Sequence, residues 1–195
     1  RSAAQIVAFD DDASGTPVNG YAGGTAIGSV LGNDLLNGLP VGSLATITSV
    51  GDPYPSDGVA LNASTGSVTV AAGTASGTYT ITYTICEILN PSNCDAAVVT
   101  VTVSAAPIDA VADAFGPVNG ATGSSTAGNV LGNDTLNGLP ASTSSVTLSV
   151  LDPADPVGGG PVPSVNTGSG VVSVPAGTPA GTYTITYQIC EILNP

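Results

Sequence analysis

The residues of this 195-residue chain that could do chemistry are three cysteines and fourteen carboxylates. The acids are twelve Asp and two Glu, and the one basic side chain is Arg1, so the formal net charge is −13. What is missing narrows the options. Without His there is no Ser–His or Cys–His pair and no imidazole ligand for a metal. Without Lys there is no Schiff base and no lysine for a phosphate-cradling loop. With no Lys and with Arg1 as its one Arg, the chain cannot neutralise nucleic-acid phosphates or dock electrostatically on an anionic membrane. No run approaches the roughly 18 apolar residues that span a bilayer, so no membrane insertion is expected. The acids are left with water, metal ions or a cationic surface as partners, and the sequence points away from an enzyme.

Cys86 and Cys94 flank the segment EILNPSN, between two strongly strand-like runs. A disulfide closing a hairpin tip is the natural reading, with two reduced, buried thiols as the alternative. Closing so short a loop contributes about 2.5 kcal/mol in the chain-entropy model and implies an oxidising compartment. Cys190 repeats Cys86 without a second cysteine after it, so it is expected to be free or paired between molecules.

That repetition runs through the whole chain. PVNG occurs at 17–20 and 117–120, VLGND at 30–34 and 130–134, and LNGLP at 36–40 and 136–140, all offset by 100. GTYTITY at 77–83 and 181–187, and ICEILNP at 85–91 and 189–195, are offset by 104. The four extra residues fall in DPADPVGGGPVP (152–163), opposite DPYPSDG (52–58). SAAQIVA (2–8) aligns with SAAPIDA (104–110), which places one repeat in 1–105 and a second in 106–195. The second copy lacks a counterpart of SNCDAAVVTVTV (92–103). The chain therefore reads as a window on a longer array, its modules joined end to end through a short junction.

Within a repeat the hydrophobic period is two. Tyr79, Ile81, Tyr83 and Ile85 alternate with Thr78, Thr80, Thr82 and Thr84, and the residues are strong strand formers. The segment 97–103 continues the pattern with Val99, Val101 and Val103 inward. Further strands are expected at 25–31, 44–50, 58–61 and 67–71, separated by Gly, Pro, Asn, Asp and Ser clusters. The exposed Thr rows read as ordinary strand propensity. The fold class is all-β: two tandem immunoglobulin-like β-sandwich repeats of about seven strands, the second lacking its last strand.

The ordered series AFDDDASGTPVNG (8–20), SVLGNDLLNGLPV (29–41) and AAGTASGTYTITYTICEILNPSNCDAAVVTVTV (71–103) resembles the tandem Ig-like or cadherin-like repeats of large bacterial surface adhesins and extracellular filament proteins. The resemblance implies an extracellular or cell-surface stalk module rather than a catalyst. It also implies candidate calcium ligands at module starts and in the Asn-Asp turn. In the first repeat these are Asp10, Asp11, Asp12, Asn33 and Asp34; in the second, Asp109, Asp113, Asn133 and Asp134. The match is partial, since Leu-Leu-Asn-Gly follows Asn33-Asp34 and Ala112-Asp113 stands opposite Asp11-Asp12. Solubilising charge plus Asx-turns is the plainer reading of the same acids. Expected partners are neighbouring repeats, or other copies of the chain in a fibre completed by a donated strand. A surface glycan or protein contacting the variable loops at 51–58 and 151–163 is the alternative.

Overall fold

The computed structural model describes residues 4–195; Arg1 and the start of the 2–8 motif lie outside the described residues. The chain divides between Ala105 and Ala106 into two compact units. Each is an immunoglobulin-like β-sandwich, and among the described residues no helix is long and apolar enough to cross a membrane.

Unit 1 contains β1 (Ile6–Val7), β2 (Asp11–Asn19), β3 (Gly24–Ile27), β4 (Leu35–Leu36), β5 (Leu39–Pro40), β6 (Ala45–Gly51), β7 (Val59–Leu61), β8 (Val68–Val70), β9 (Gly77–Glu87) and β10 (Cys94–Ser104). One sheet has the order β2-β10-β9-β6 and the other β3-β8-β7, with β1-β4-β5 as a small third. The alternation in β9 sorts as its sequence demands. Ile81, Tyr83 and Ile85 are buried, and Val99, Val101 and Val103 join them from β10. They meet Val59, Val68 and Val70 of the other sheet in one cluster. With no Trp in the chain, Tyr83 is the largest fully buried side chain.

Two sequence expectations need correcting. The run expected as a strand over 25–31 stops at Ile27, and Val30–Gly32 form a 3-10 turn. Ser29 caps that turn by accepting the Leu31 N–H, which competes with continued pairing. The segment 11–19, rich in Asp, Gly and Pro, carries no strand signal, yet it is β2. It runs parallel to β10, with Val99 opposite Asp11 and Ser104 opposite Asn19. Because β10 supplies the hydrophobic face, β2 needs only to complete its hydrogen-bond ladder, and its edge position tolerates Pro17.

Unit 2 contains β11 (Ile108–Asp109), β12 (Ser124–Asn129), β13 (Thr135–Leu136), β14 (Leu139–Pro140), β15 (Val146–Asp152), β16 (Ser164–Val165), β17 (Val171–Val174) and β18 (Thr186–Glu191). Its sheets are β12-β17-β16, β15-β18 and β11-β13-β14. No described residue forms a counterpart of β10, and the counterpart of β2, 111–119, is not a strand.

The repeated motifs map onto repeated devices. Leu36 pairs with Leu39 and Leu136 with Leu139 across two-residue Asn-Gly turns. Positive φ at Asn37 (59°), Gly38 (79°), Asn137 (54°) and Gly138 (73°) makes both type I′ hairpins. The second glycine-dependent position is the PVNG end: a Cβ on Gly20 would collide with the Thr74 carbonyl, and one on Gly120 with that of Thr178. Both threonines are buried, with hydroxyls donated to Ala71 O and Pro175 O at 2.6 and 2.7 Å. Gly20→Ala is therefore expected to destabilise unit 1 by about 1–3 kcal/mol, as overpacking does, read as a lower urea midpoint at unchanged m-value.

Candidate functional site: two tyrosine–carboxylate knots and a cysteine hairpin

The buried acids converge on tyrosine. In unit 1, β9 carries Tyr83 through the core so that its hydroxyl reaches the opening segment and the 3-10 turn. The Tyr83 O–H lies 3.0 Å from Asp11 Oδ2, 3.1 Å from Phe9 O, 3.2 Å from Val30 O, and 3.3 and 3.2 Å from Asp34 Oδ1 and Oδ2. One hydroxyl donates one hydrogen bond at a time, so acceptors outnumber donors here. The Phe9 N–H helps, donating to Asp34 Oδ1 at 2.8 Å, and Asn33 Nδ2 donates to Asp10 O at 3.2 Å.

Unit 2 builds the same knot. The Tyr187 O–H lies 3.0 Å from Asp113 Oδ2 and 3.2 Å from Val111 O, Val130 O and both Asp134 oxygens. The Val111 N–H donates to Asp134 Oδ1 at 2.7 Å, and Asn133 Nδ2 donates to Ala112 O at 3.3 Å. These bonds correct the alignment of the acidic starts. Asp113 occupies the place of Asp11, not Asp12, and Ala112 that of Asp10. The signal for this was the AFDD-to-AVAD offset of 102, which the stronger PVNG matches masked.

The electrostatics follow from burial without a counter-cation. Burial pushes the Asp11 carboxyl up to about 6; the Tyr83 hydrogen bond opposes this, and the Asp34 charge adds to it. Asp34, fully buried, is raised chiefly by burial, against the Phe9 N–H and Tyr83 bonds. Asp113 is raised for the same first reason, with Tyr187 opposing. The tyrosines are themselves pushed up, by burial and then by the carboxylates around them.

The remaining candidate ligands go elsewhere. Asp10 Oδ1 accepts the Val98 N–H at 2.8 Å, tying the module start to β10. Asp12 Oδ1 accepts the Ser14 N–H at 2.8 Å, an Asx-turn on the surface. Asp109 is exposed in β11. A calcium cage needs six to eight oxygens around a central ion. Here a phenol O–H stands at the point where Asp11, Asp34 and two carbonyls converge. Among the described residues no group of three or more His, Cys, Asp or Glu is placed to hold a metal. The arrangement does not fit calcium.

Cys86 and Cys94 face each other across β9 and β10 and form a disulfide, while Cys190 is a half-buried free thiol. Glu87, buried beside the bridge, accepts Asn93 Nδ2 at 2.9 Å, and its carboxyl is held below the usual range by Asn93 and then Asn90. Glu191 is the counterpart, buried and accepting Asn194 Nδ2 at 2.8 Å. Glu87 braces the turn between β9 and β10, and Glu191 the bend that follows β18.

No family model matches the chain, and no curated protein matches it. Solved structures with partial likeness include protocadherin gamma B2 extracellular cadherin domains 3-6, at 15% identity and TM-score 0.31, covering 95% of this chain and 48% of that one. The EC21-23 segment of human CDH23 is 16% identical with TM-score 0.34, covering 97% of this chain and 68% of that one. A SusE-like surface-located polysaccharide-binding protein from the Bacteroides thetaiotaomicron heparin utilisation locus is 13% identical with TM-score 0.34, covering 89% and 29%. The chain thus spans about half the length of the first of these.

Three outcomes test the site. Tyr83→Phe removes the O–H donor shared by buried Asp34 and half-buried Asp11 and is expected to cost about 1–3 kcal/mol in urea unfolding. A carboxyl whose folded pKa is raised contributes stability below its unfolded pKa and loses it as pH rises through the folded value. For Asp11 the window runs from 3.8 to about 6, so unit 1 should melt higher at pH 5 than at pH 7. Asp11→Asn should shrink that difference, separating it from relief of the net charge. The lowered pKa of Asp12 has the opposite sign, but acts below that window. Finally, melting temperature should be the same in excess EDTA and in millimolar calcium, checked by calorimetry.

Proposed function

We propose that the two units are structural spacer repeats of an extracellular bacterial adhesin or surface filament, with no catalytic role. The observation that carries this reading is where the chemistry-bearing side chains go. Asp11, Asp34, Asp113 and Asp134 are taken up by Tyr83 and Tyr187, Cys86 by Cys94, and Glu87 and Glu191 by asparagines of their own turns. Each serves to hold a unit together, and the arrangement is built twice.

An extracellular setting is supported by the disulfide, which persists in oxidising compartments. It is supported too by the absence of Lys and of any Arg beyond position 1, which leaves trypsin-like proteases nothing to cut within 2–195. A spacer needs no cofactor, and its partners in this reading are adjoining repeats of its own kind.

The test is made on native material. Alkylation without reductant should modify Cys190 and leave Cys86 and Cys94 blocked, and antibodies to the chain should label intact cells. Alkylation of all three thiols, or labelling only after lysis, would overturn the extracellular assignment. Hydrolytic activity of the purified chain would overturn the structural one.

A further inference from the structure

Of the twelve aspartates, three are followed by proline: Asp52–Pro53, Asp152–Pro153 and Asp155–Pro156. All three occupy one place in the fold. The first opens the loop from β6 to β7, and the other two lie at the head of its counterpart from β15 to β16. This loop is where the repeats diverge, DPYPSDG (52–58) standing opposite DPADPVGGGPVP (152–163). The Asp-Pro pair keeps its register through that divergence, and the longer copy holds a second one. Pro53, Asp152, Pro153, Asp155 and Pro156 are exposed and Asp52 is half-buried, so the bonds are open to water. Turn initiation is the plain use of such a pair. Asp52 Oδ1 accepts the Tyr54 N–H at 2.9 Å, which folds the carboxylate back along the chain that follows it.

The pair also has a chemistry of its own. An aspartate carboxylate oxygen that attacks its own main-chain carbonyl carbon closes a cyclic anhydride, a neighbouring-group reaction with no diffusion step. The carbon–nitrogen bond to the next residue breaks, and that nitrogen takes a proton and leaves as an amine. Acid supplies the proton. Proline leaves most readily, because its ring nitrogen carries no N–H and is protonated more easily than an ordinary amide. Water then opens the anhydride and restores the aspartate with a free α-carboxyl. The balance is a water consumed and a peptide bond lost, with no oxidant, metal or partner residue.

We propose that the loop from β6 to β7 is a self-cleavage site, cut between Asp52 and Pro53 by the Asp52 carboxylate in mild acid, and that its counterpart is cut in the same way after Asp152 and Asp155. In unit 1 the cut is silent while the unit stays folded. It divides β1–β6 from β7–β10, and these halves are laced together: β2 pairs with β10, β6 with β9 and β3 with β8. The Tyr83 knot spans the cut as well, joining β9 to Asp11 and Asp34, and the buried cluster draws on both halves. The Cys86–Cys94 bridge lies wholly on one side and does not tether them. A cut unit therefore keeps its shape at rest and comes apart when it unfolds, in a chain that offers trypsin-like proteases nothing within 2–195. This inference stands apart from the extracellular spacer reading, since the bond has the same chemistry in any location.

The test holds the intact chain at pH 4 beside a synthetic peptide of residues 48–58, until half of the peptide is split, and reads both by intact mass. Fragments ending at Asp52, Asp152 and Asp155 are expected, formed at least as fast as the peptide splits and ahead of cuts after the other aspartates. The 1–52 fragment should co-elute with the rest of unit 1 on a native column and be released in urea without reductant. Asp52→Asn keeps an acceptor for the Tyr54 N–H and removes the nucleophile, so cleavage at this bond should fall at least about tenfold. Pro53→Ala keeps the nucleophile and removes the better leaving group, with a fall in the same direction. A native chain that stays whole while the peptide splits would overturn the proposal, because the fold would then protect the bond. Equal cleavage of the Asp52→Asn chain, the mark of a contaminating protease, would overturn it too, as would loss of 1–52 on the native column. Each of these failures leaves the extracellular spacer reading untouched.

Discussion

Burying carboxylates with no cation to meet them is the constraint on which each unit is built. Asp34 and Asp134 are at most 1% exposed in a chain whose only basic group is at position 1. Ion pairing is the usual answer to a buried charge, and it is closed to this sequence. Neutral donors replace it: a tyrosine O–H passed through the core and a backbone N–H from the opening segment. Because Tyr83 must reach those acids from β9, the knot fixes three things together. It sets the depth of the central strand, the path of the module start and the position of the 3-10 turn.

Much of the fold was legible in the sequence, because its signals are local. Thr-Tyr-Thr-Ile alternation needs no context to be read as a half-buried strand, and the Val run at 97–103 supplied its partner. The disulfide followed from placing two cysteines at the ends of those strands. β2 was illegible for a physical reason: an edge strand laid parallel against an apolar neighbour contributes backbone hydrogen bonds, which no side-chain pattern reports. The acids were partly legible. Their spacing placed them at module starts and turns, but a calcium cage and a tyrosine knot use the same carboxylates. Only the position of a phenol oxygen 74 residues away from Phe9 distinguishes them. Asp12 forms the plain Asx-turn that its neighbours suggested, while Asp34 does the opposite of a solubilising charge.

The two units repeat the same motifs, and their described strands differ in extent. With β10 present, β2 is ordered over nine residues, β9 over eleven, and the glutamate beside the bridge has both its amides. In unit 2, β18 covers six residues and 111–119 is not a strand. The tyrosine knot persists in unit 2 all the same, at nearly unchanged distances. In both units it draws on the turn, the module start and the central strand.

The parallel pairing of β2 with β10 bears on how unit 1 would carry a load. These are its first long strand and its last, side by side and pointing the same way. Tension applied to the two ends of the unit slides one along the other. Every hydrogen bond of the ladder then strains at once, rather than opening in sequence like a zip. Asp10, bonded to the Val98 amide of β10, adds a side-chain rung to that clamp. An edge strand with little hydrophobic surface of its own thus becomes the element that sets the force at which the unit yields.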